Sequence, residues 1–200
     1  MMVKVCGVTN REDAEAAASA GATAIGFNFY RFSPRCILAE RAAEIGVGLD
    51  ITKVGVFVNE TPARIAEVAA LASLDVVQLH GDESPAGYPV GLEVWKAARV
   101  GENFDPSLWR DCPADALLLD GDASLLYDGA GRTFDWRIAA GFTKKIILAG
   151  GLDAANVRQA IEQARPWGVD ACSRIESAPG RKDHRKMAQF IRVARAAFQC

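Results

Sequence analysis

Ala116-Leu117-Leu118-Leu119-Asp120-Gly121 reads as a strand buried on both faces that ends on a carboxyl. Near-continuous apolar runs of this kind belong to parallel sheets covered on both sides. Working outward, runs of the same character recur at residues 3–6, 24–28, 53–58, 75–79, 93–97, 145–149 and 169–173. Between them lie segments of helical composition and period, at 11–20, 39–48, 62–72, 154–164 and 183–198. The segments after the fourth, fifth and sixth runs carry weaker helix signals, because Pro85 and Pro89 crowd one and 104–110 is short.

Eight strands alternating with eight helical segments predict a parallel sheet with crossovers. An open doubly wound sheet and a closed (β/α)8 barrel both satisfy the pattern, and the count favours the barrel, a TIM barrel in the α/β class. No Gly-x-Gly-x-x-Gly follows the first strand, which weakens the dinucleotide-binding alternative. No linker divides the chain, so residues 1–200 are expected to form one domain. Helix punctuation agrees. Thr9 and Asn10 can cap the first helix, Thr61-Pro62 the third and Asp153 the seventh, while Gly21, Gly48 and Gly141 follow helical stretches.

Half of the residues are hydrophobic, enough for one well-formed core. The net charge is −2 with no block of like charges, which excludes an electrostatic footprint for nucleic acid. No run approaches the about 18 apolar residues of a membrane helix, and no signal peptide is expected. The five cysteines show no Cys-x-x-Cys pair and the two histidines no helical pairing, so neither a disulfide framework nor a metal site is expected. A reducing cytoplasm is the simplest setting. The apolar helix faces suit a monomer or a homodimer.

In a barrel the polar residues at the C-terminal strand ends are the ones that carry chemistry. Cys6 ends Val3-Lys4-Val5-Cys6-Gly7 and shares a strand face with Lys4, whose ammonium would favour the thiolate. The alternative for Cys6 is a small buried hydrophobe. Asp120 is costly to bury unpaired, and partial desolvation would favour the protonated form an acid needs; the alternative is a cap or ion pair in the following loop. Gly150-Gly151 can offer backbone N–H groups to an anion, and together with Ser173-Arg174 after the eighth strand it makes a candidate phosphate site. Gly129-Ala130-Gly131 reads equally as a covering segment or a plain surface loop. Arg35 can hold an anionic group in bidentate fashion or sit exposed. His80 is a strand-end histidine, a general base or a hydrogen-bonded structural residue. No Gly-x-Ser-x-Gly elbow points to hydrolysis.

Taken in order, these segments resemble the phosphoribosylanthranilate isomerase family. The matching stretches are Val3–Thr9 as VKVCGVT, Gly26–Phe29 with Ser33-Pro34-Arg35, Val54–Val58, and Val77-Gln78-Leu79-His80-Gly81. Leu118-Leu119-Asp120, Phe134-Asp135-Trp136, 148–152 with Asn156-Val157, and 179–183 as PGRKD complete the set. The resemblance implies a cofactor-free barrel and a small phosphoribosyl substrate, with no nucleic acid or membrane partner. It implies an Amadori rearrangement of N-(5-phosphoribosyl)anthranilate in tryptophan biosynthesis. It further implies that Asp120 is the general acid and Cys6 the general base, that Arg35 faces the anthranilate carboxylate, and that the loops at Gly150-Gly151 and Ser173-Arg174 hold the phosphate. Two departures stand out: Arg174 where the family often has Gly, and Asp128 where it often has Gly. The competing readings are another phosphosugar isomerase or epimerase barrel, and a non-catalytic phosphate-ligand-binding barrel.

Overall fold

The structure, a computed structural model, describes residues 1–121 and 133–199. Eight strands close into a parallel barrel in chain order: β1 (Met2–Cys6), β2 (Ala24–Asn28), β3 (Thr52–Phe57), β4 (Val76–Leu79), β5 (Glu93–Val100), β6 (Ala116–Gly121), β7 (Lys145–Leu148) and β8 (Gly168–Ala171). β8 returns to β1 in parallel register, with Lys4 opposite Asp170 and Val5 opposite Ala171. The strands alternate with helices α1 (Arg11–Ala20), α2 (Ala39–Gly46), α3 (Pro62–Leu71), α4 (Val157–Ala164) and α5 (His184–Ala197). The closed barrel is thus the one of the two predicted architectures that forms.

Eight helical segments were expected, and three are corrected. The stretches after β4, β5 and β6 contain 3-10 turns, at Pro85–Gly87, Pro106–Trp109 and Trp136–Gly141. Pro85 and Pro106 open two of these turns, where a missing N–H costs nothing, but too few residues follow to nucleate a full helix. A hairpin of β9 (Glu176–Ala178) and β10 (Arg181–Lys182), unforeseen, folds between β8 and α5.

The capping residues act largely as read. Asn10 caps α1 by accepting from the Asp13 N–H, and Thr61 caps α3 ahead of Pro62. Asp153 does not cap α4; Asn156 holds that position, and Asp153 Oδ1 accepts from the Ala155 N–H in the loop before it. Gly21 and Gly48 take positive φ, whereas Gly141 ends a 3-10 turn without it.

The main hydrophobic layer lies between strands and helices and includes Ile25, Phe27, Leu117, Leu119, Val157 and Phe190. A second layer fills the lower barrel interior with Met2, Val54, Val76, Trp95, Leu118 and Ile147. The interior is therefore packed below and polar above, which confines chemistry to the C-terminal rim. Among the described residues no helix is long and apolar enough to cross a membrane.

Candidate active site

Side chains alternate along a strand, so every second residue enters the barrel. In β6 the inward series is Ala116 and Leu118, members of the inner layer, and Asp120 is the next of the same parity. In β1 it is Met2, Lys4 and Cys6; in β8 it is Gly168, Asp170 and, just past the strand, Cys172. The β1–β8 register sets Lys4 beside Asp170 and continues to Cys6 beside Cys172. Gly26 of β2 makes room for this set, since a β-carbon there would sit 2.9 Å from the Cys6 sulfur and 3.1 Å from Lys4 Nζ.

Lys4 is fully buried, and its Nζ donates to Asp170 Oδ2 at 2.6 Å. Burial alone would lower the lysine pKa, but the attraction of Asp170 and Cys6 outweighs it and the ammonium is held charged. Burial pushes Asp170 up to about 7 against the pull of Lys4, with Cys6 and Asp120 adding repulsion. The partners are thus drawn in opposite senses; the short contact and the complete burial of Lys4 make the ion pair the form taken at neutral pH.

A stability test follows. Lys4→Met leaves a buried carboxylate unbalanced and should cost about 3–5 kcal/mol at alkaline pH. A carboxyl whose folded pKa lies above its unfolded value takes up a proton on folding, so its contribution to stability falls as pH rises between the two values. In the parent this fall levels off near 7, the value set beside Lys4. In the variant it continues above 7, so urea midpoints should diverge more at about pH 8 than at about pH 5. Equal differences at both pH values would remove Asp170 as the cause.

Cys6 is buried at the rim. Its thiol is held well below the ordinary range, chiefly by a hydrogen bond from the Cys172 thiol; burial opposes, and Lys4 and Lys182 add to the lowering. The expectation that Lys4 favours the thiolate is met, with a second thiol contributing more.

Asp120 is mostly buried, with Oδ2 3.3 Å from His80 Nε2. Nδ1 of that ring lies 2.9 Å from the Gln78 side-chain nitrogen. With the amide donating, Nδ1 accepts and the ring proton sits on Nε2, facing Asp120. Asp120 Oδ1 is buried and has no hydrogen-bond partner among the described residues. Cys6 and Asp120 both continue the inward-facing series of their strands, so the thiol and the carboxyl face one interior.

Arg35 is buried rather than exposed, and its fork is already engaged. Nε donates to Glu176 at 2.9 Å and Nη2 at 2.7 Å. Its stem crosses Gly7, where a β-carbon would lie 2.5 Å from Arg35 Cδ. Glu176 is also held by Lys182 Nζ at 2.8 Å, and these cations keep its carboxyl below the usual range despite burial. Arg35 therefore stands at the rim near Cys6 with its orientation fixed by a residue that the sequence did not single out.

After β7, Gly150 and Gly151 take φ of 81° and 62°, a backbone that side chains rarely tolerate. Asn156 Nδ2 donates to the Gly151 carbonyl at 2.8 Å and pins the turn. After β8, Ser173 opens a 3-10 turn. Arg174 Nη1 meets Asp153 Oδ2 at 3.2 Å, so its charge ties the two loops together. Asp128 and Gly129-Ala130-Gly131 lie outside the described residues. A hollow of about 430 Å³, lined by Phe142, Lys144, Arg165 and Trp167, opens at the opposite end of the barrel and touches none of this site.

The structure thus brings Cys6, Asp120 and His80 to one end of the barrel, with Arg35, Gly150, Gly151, Ser173 and Arg174 in the loops around it. Sequence reading missed Asp170, Cys172, Glu176 and Lys182. The inward parity of Gly168, Asp170 and Cys172 was the available signal, but it gains meaning only once β8 is known to flank β1.

The family model for N-(5'-phosphoribosyl)anthranilate (PRA) isomerase matches residues 3–193. The chain is 60% identical over 198 residues to the N-(5'-phosphoribosyl)anthranilate isomerase of Solibacter usitatus, covering 99% of both chains. It superposes on the phosphoribosyl anthranilate isomerase of Thermotoga maritima with a TM-score of 0.89 at 40% identity, covering 98% of this chain and 99% of that one. A further solved structure of such an isomerase, in complex with reduced 1-(o-carboxyphenylamino)-1-deoxyribulose 5-phosphate, aligns with a TM-score of 0.86 at 38% identity, covering 98% of this chain and 99% of that one.

Proposed function

The chain belongs to the N-(5'-phosphoribosyl)anthranilate isomerase family, and from that premise we propose that Asp120 is the acid and Cys6 the base of an aldose–ketose isomerisation in tryptophan biosynthesis. The substrate is N-(5-phosphoribosyl)anthranilate and the product 1-(2-carboxyphenylamino)-1-deoxyribulose 5-phosphate. Asp120 gives a proton to the ribose ring oxygen, the C1–O bond breaks, and the anilino nitrogen lone pair forms the iminium. The cation acidifies the C2–H bond, and Cys6 removes that proton. The resulting enolamine tautomerises to the ketone by protonation at C1.

The observation that carries this reading is the shared parity of the two strands: Asp120 follows Ala116 and Leu118 inward, and Cys6 follows Met2 and Lys4. Acid and base therefore emerge into one space. Asp120 supports its role by keeping part of its side chain exposed while Oδ1 is committed to no hydrogen bond among the described residues. The lowered Cys6 thiol supports the base, since the thiolate is the reactive form.

Arg35 holds the anthranilate carboxylate, positioned by Glu176. Gly150, Gly151 and Ser173 bind the phosphate through their backbone N–H groups. Arg174, paired with Asp153, fixes the spacing of those loops more than it adds a free cation. This departure from the family pattern is thereby neutralised in place.

Adding the phosphoribosyl substrate to the purified chain should extinguish its anthranilate-type fluorescence in a first-order progress curve. Binding without that loss would leave a phosphate-ligand-binding barrel and end the enzymatic reading.

A further inference from the structure

Gln78 is a buried amide inside the barrel to which the acid and the base give no part. In β4 the inward series is Val76, Gln78 and, just past the strand, His80, as Ala116, Leu118 and Asp120 form that of β6. β5 lies between these strands and contributes Ala97 to the inner layer, a side chain too short to part them. His80 therefore reaches across to Asp120, with Nε2 3.3 Å from Oδ2, and turns Nδ1 back to the Gln78 side-chain nitrogen at 2.9 Å.

The backbone under this ring is held on every side. The His80 N–H donates to the Phe57 carbonyl at 2.8 Å. The carbonyls before and after it, of Leu79 and Gly81, both accept from the buried Lys96 ammonium, at 3.3 and 2.7 Å. Glu83 takes the Gly81 N–H at 3.0 Å and the same ammonium at 3.1 Å. The Gln78 amide is placed at a cost instead. Its Oε1 is buried with no hydrogen-bond partner among the described residues, an arrangement that folded chains mostly avoid. What this orientation gains is an N–H on Nδ1. An amide nitrogen only donates, so Nδ1 must accept.

Resting on the reading of Asp120 as the acid, we propose that Gln78 and His80 are positioning residues for it: the Gln78 amide holds the neutral ring as the Nε2–H tautomer, so that Asp120 Oδ2 meets an N–H and not a lone pair. The tautomer decides what becomes of the acid's proton. With Nδ1 protonated, Nε2 would offer a lone pair and draw that proton to itself, away from the sugar. With the proton on Nε2, the ring can only donate to Asp120, and the acid's proton is left for the ribose ring oxygen. As that proton moves and the C1–O bond breaks, the fixed N–H steadies the carboxylate left behind.

The chain has two histidines, so long-range 15N–1H correlation spectra of the full protein resolve each ring, and His80→Gln assigns the signal it removes. The parent should show His80 as the Nε2–H form. In Gln78→Met, which cannot donate, the Nδ1–H form should appear, and kcat should fall about 10- to 100-fold, the worth of one hydrogen bond to a charged group, with KM little changed. His80→Leu should fall as far, while His80→Gln, whose amide N–H can stand where Nε2–H stood, should recover most of the loss. A parent ring in the Nδ1–H form overturns the proposal without any variant. So does a Gln78→Met protein that keeps the parent kcat, or loses it with the tautomer unchanged, which would mark a packing role. So does a glutamine variant at position 80 as slow as the leucine one. Near-parent activity in Asp120→Asn would instead remove the acid assignment itself, a result the tautomer spectra do not depend on.

Discussion

Asp120→Asn should lower kcat by ~10²- to 10⁴-fold, the range a positioned general acid contributes, with KM changed far less. The substitution preserves shape and leaves an oxygen or amide group to face His80 Nε2, 3.3 Å away in the parent. What it removes is the transferable proton. Without it the ribose ring oxygen must depart as an alkoxide, and the furanose stays closed. The carboxyl sits above Leu118 in a packed interior, so the amide needs no rearrangement and the fold should be intact by circular dichroism and urea unfolding. Fluorescence progress curves read kcat directly. A kcat within a few-fold of the parent would strip Asp120 of its role and turn attention to His80.

The second large effect is expected at Cys6→Ser, again ~10²- to 10⁴-fold in kcat/KM. Serine keeps the geometry above Lys4 and beside Gly26, whose missing β-carbon leaves the room that the Cys6 side chain takes. Its hydroxyl, however, does not ionise at any useful pH, even with Lys4, Lys182 and Cys172 arranged around it. Proton removal from C2 then lacks a base of adequate strength. The acid limb of the kcat/KM profile should vanish with the thiol, because that limb reports the free protein's base. A surviving limb at unchanged pH would show that another group abstracts the proton.

The legible parts of the molecule were those carried by short-range patterns. The Leu117-Leu118-Leu119 run announced a doubly covered strand, and the same reading placed Asp120 at its end. Asn10, Thr61 and Gly21 declared helix ends because caps act within a turn. Three crossovers were over-read because the eightfold alternation counted weakly helical segments as helices, while Pro85 and Pro106 open 3-10 turns in two of those stretches. The site partners were harder to see because they are non-local. Lys4 and Asp170 are 166 residues apart, and Arg35 and Glu176 are 141 apart. Nothing in a linear pattern says that an arginine after β2 will be claimed by a glutamate after β8. The pairing of Arg174 was hidden for the same reason, since its counterion Asp153 belongs to the neighbouring loop.

The seam between β1 and β8 has a consequence for how the protein comes into being. Cys6 precedes two of the groups that lower its thiol, Cys172 and Lys182, by more than 160 residues in the order of synthesis. A nascent or prematurely terminated polypeptide ending after β7 would carry Cys6 and Asp120 but neither Asp170, Cys172 nor Lys182. Its thiol would be an ordinary one on an unpaired strand edge. On the proposed reading, chemical competence is thus withheld until β8 has been made and has closed against β1.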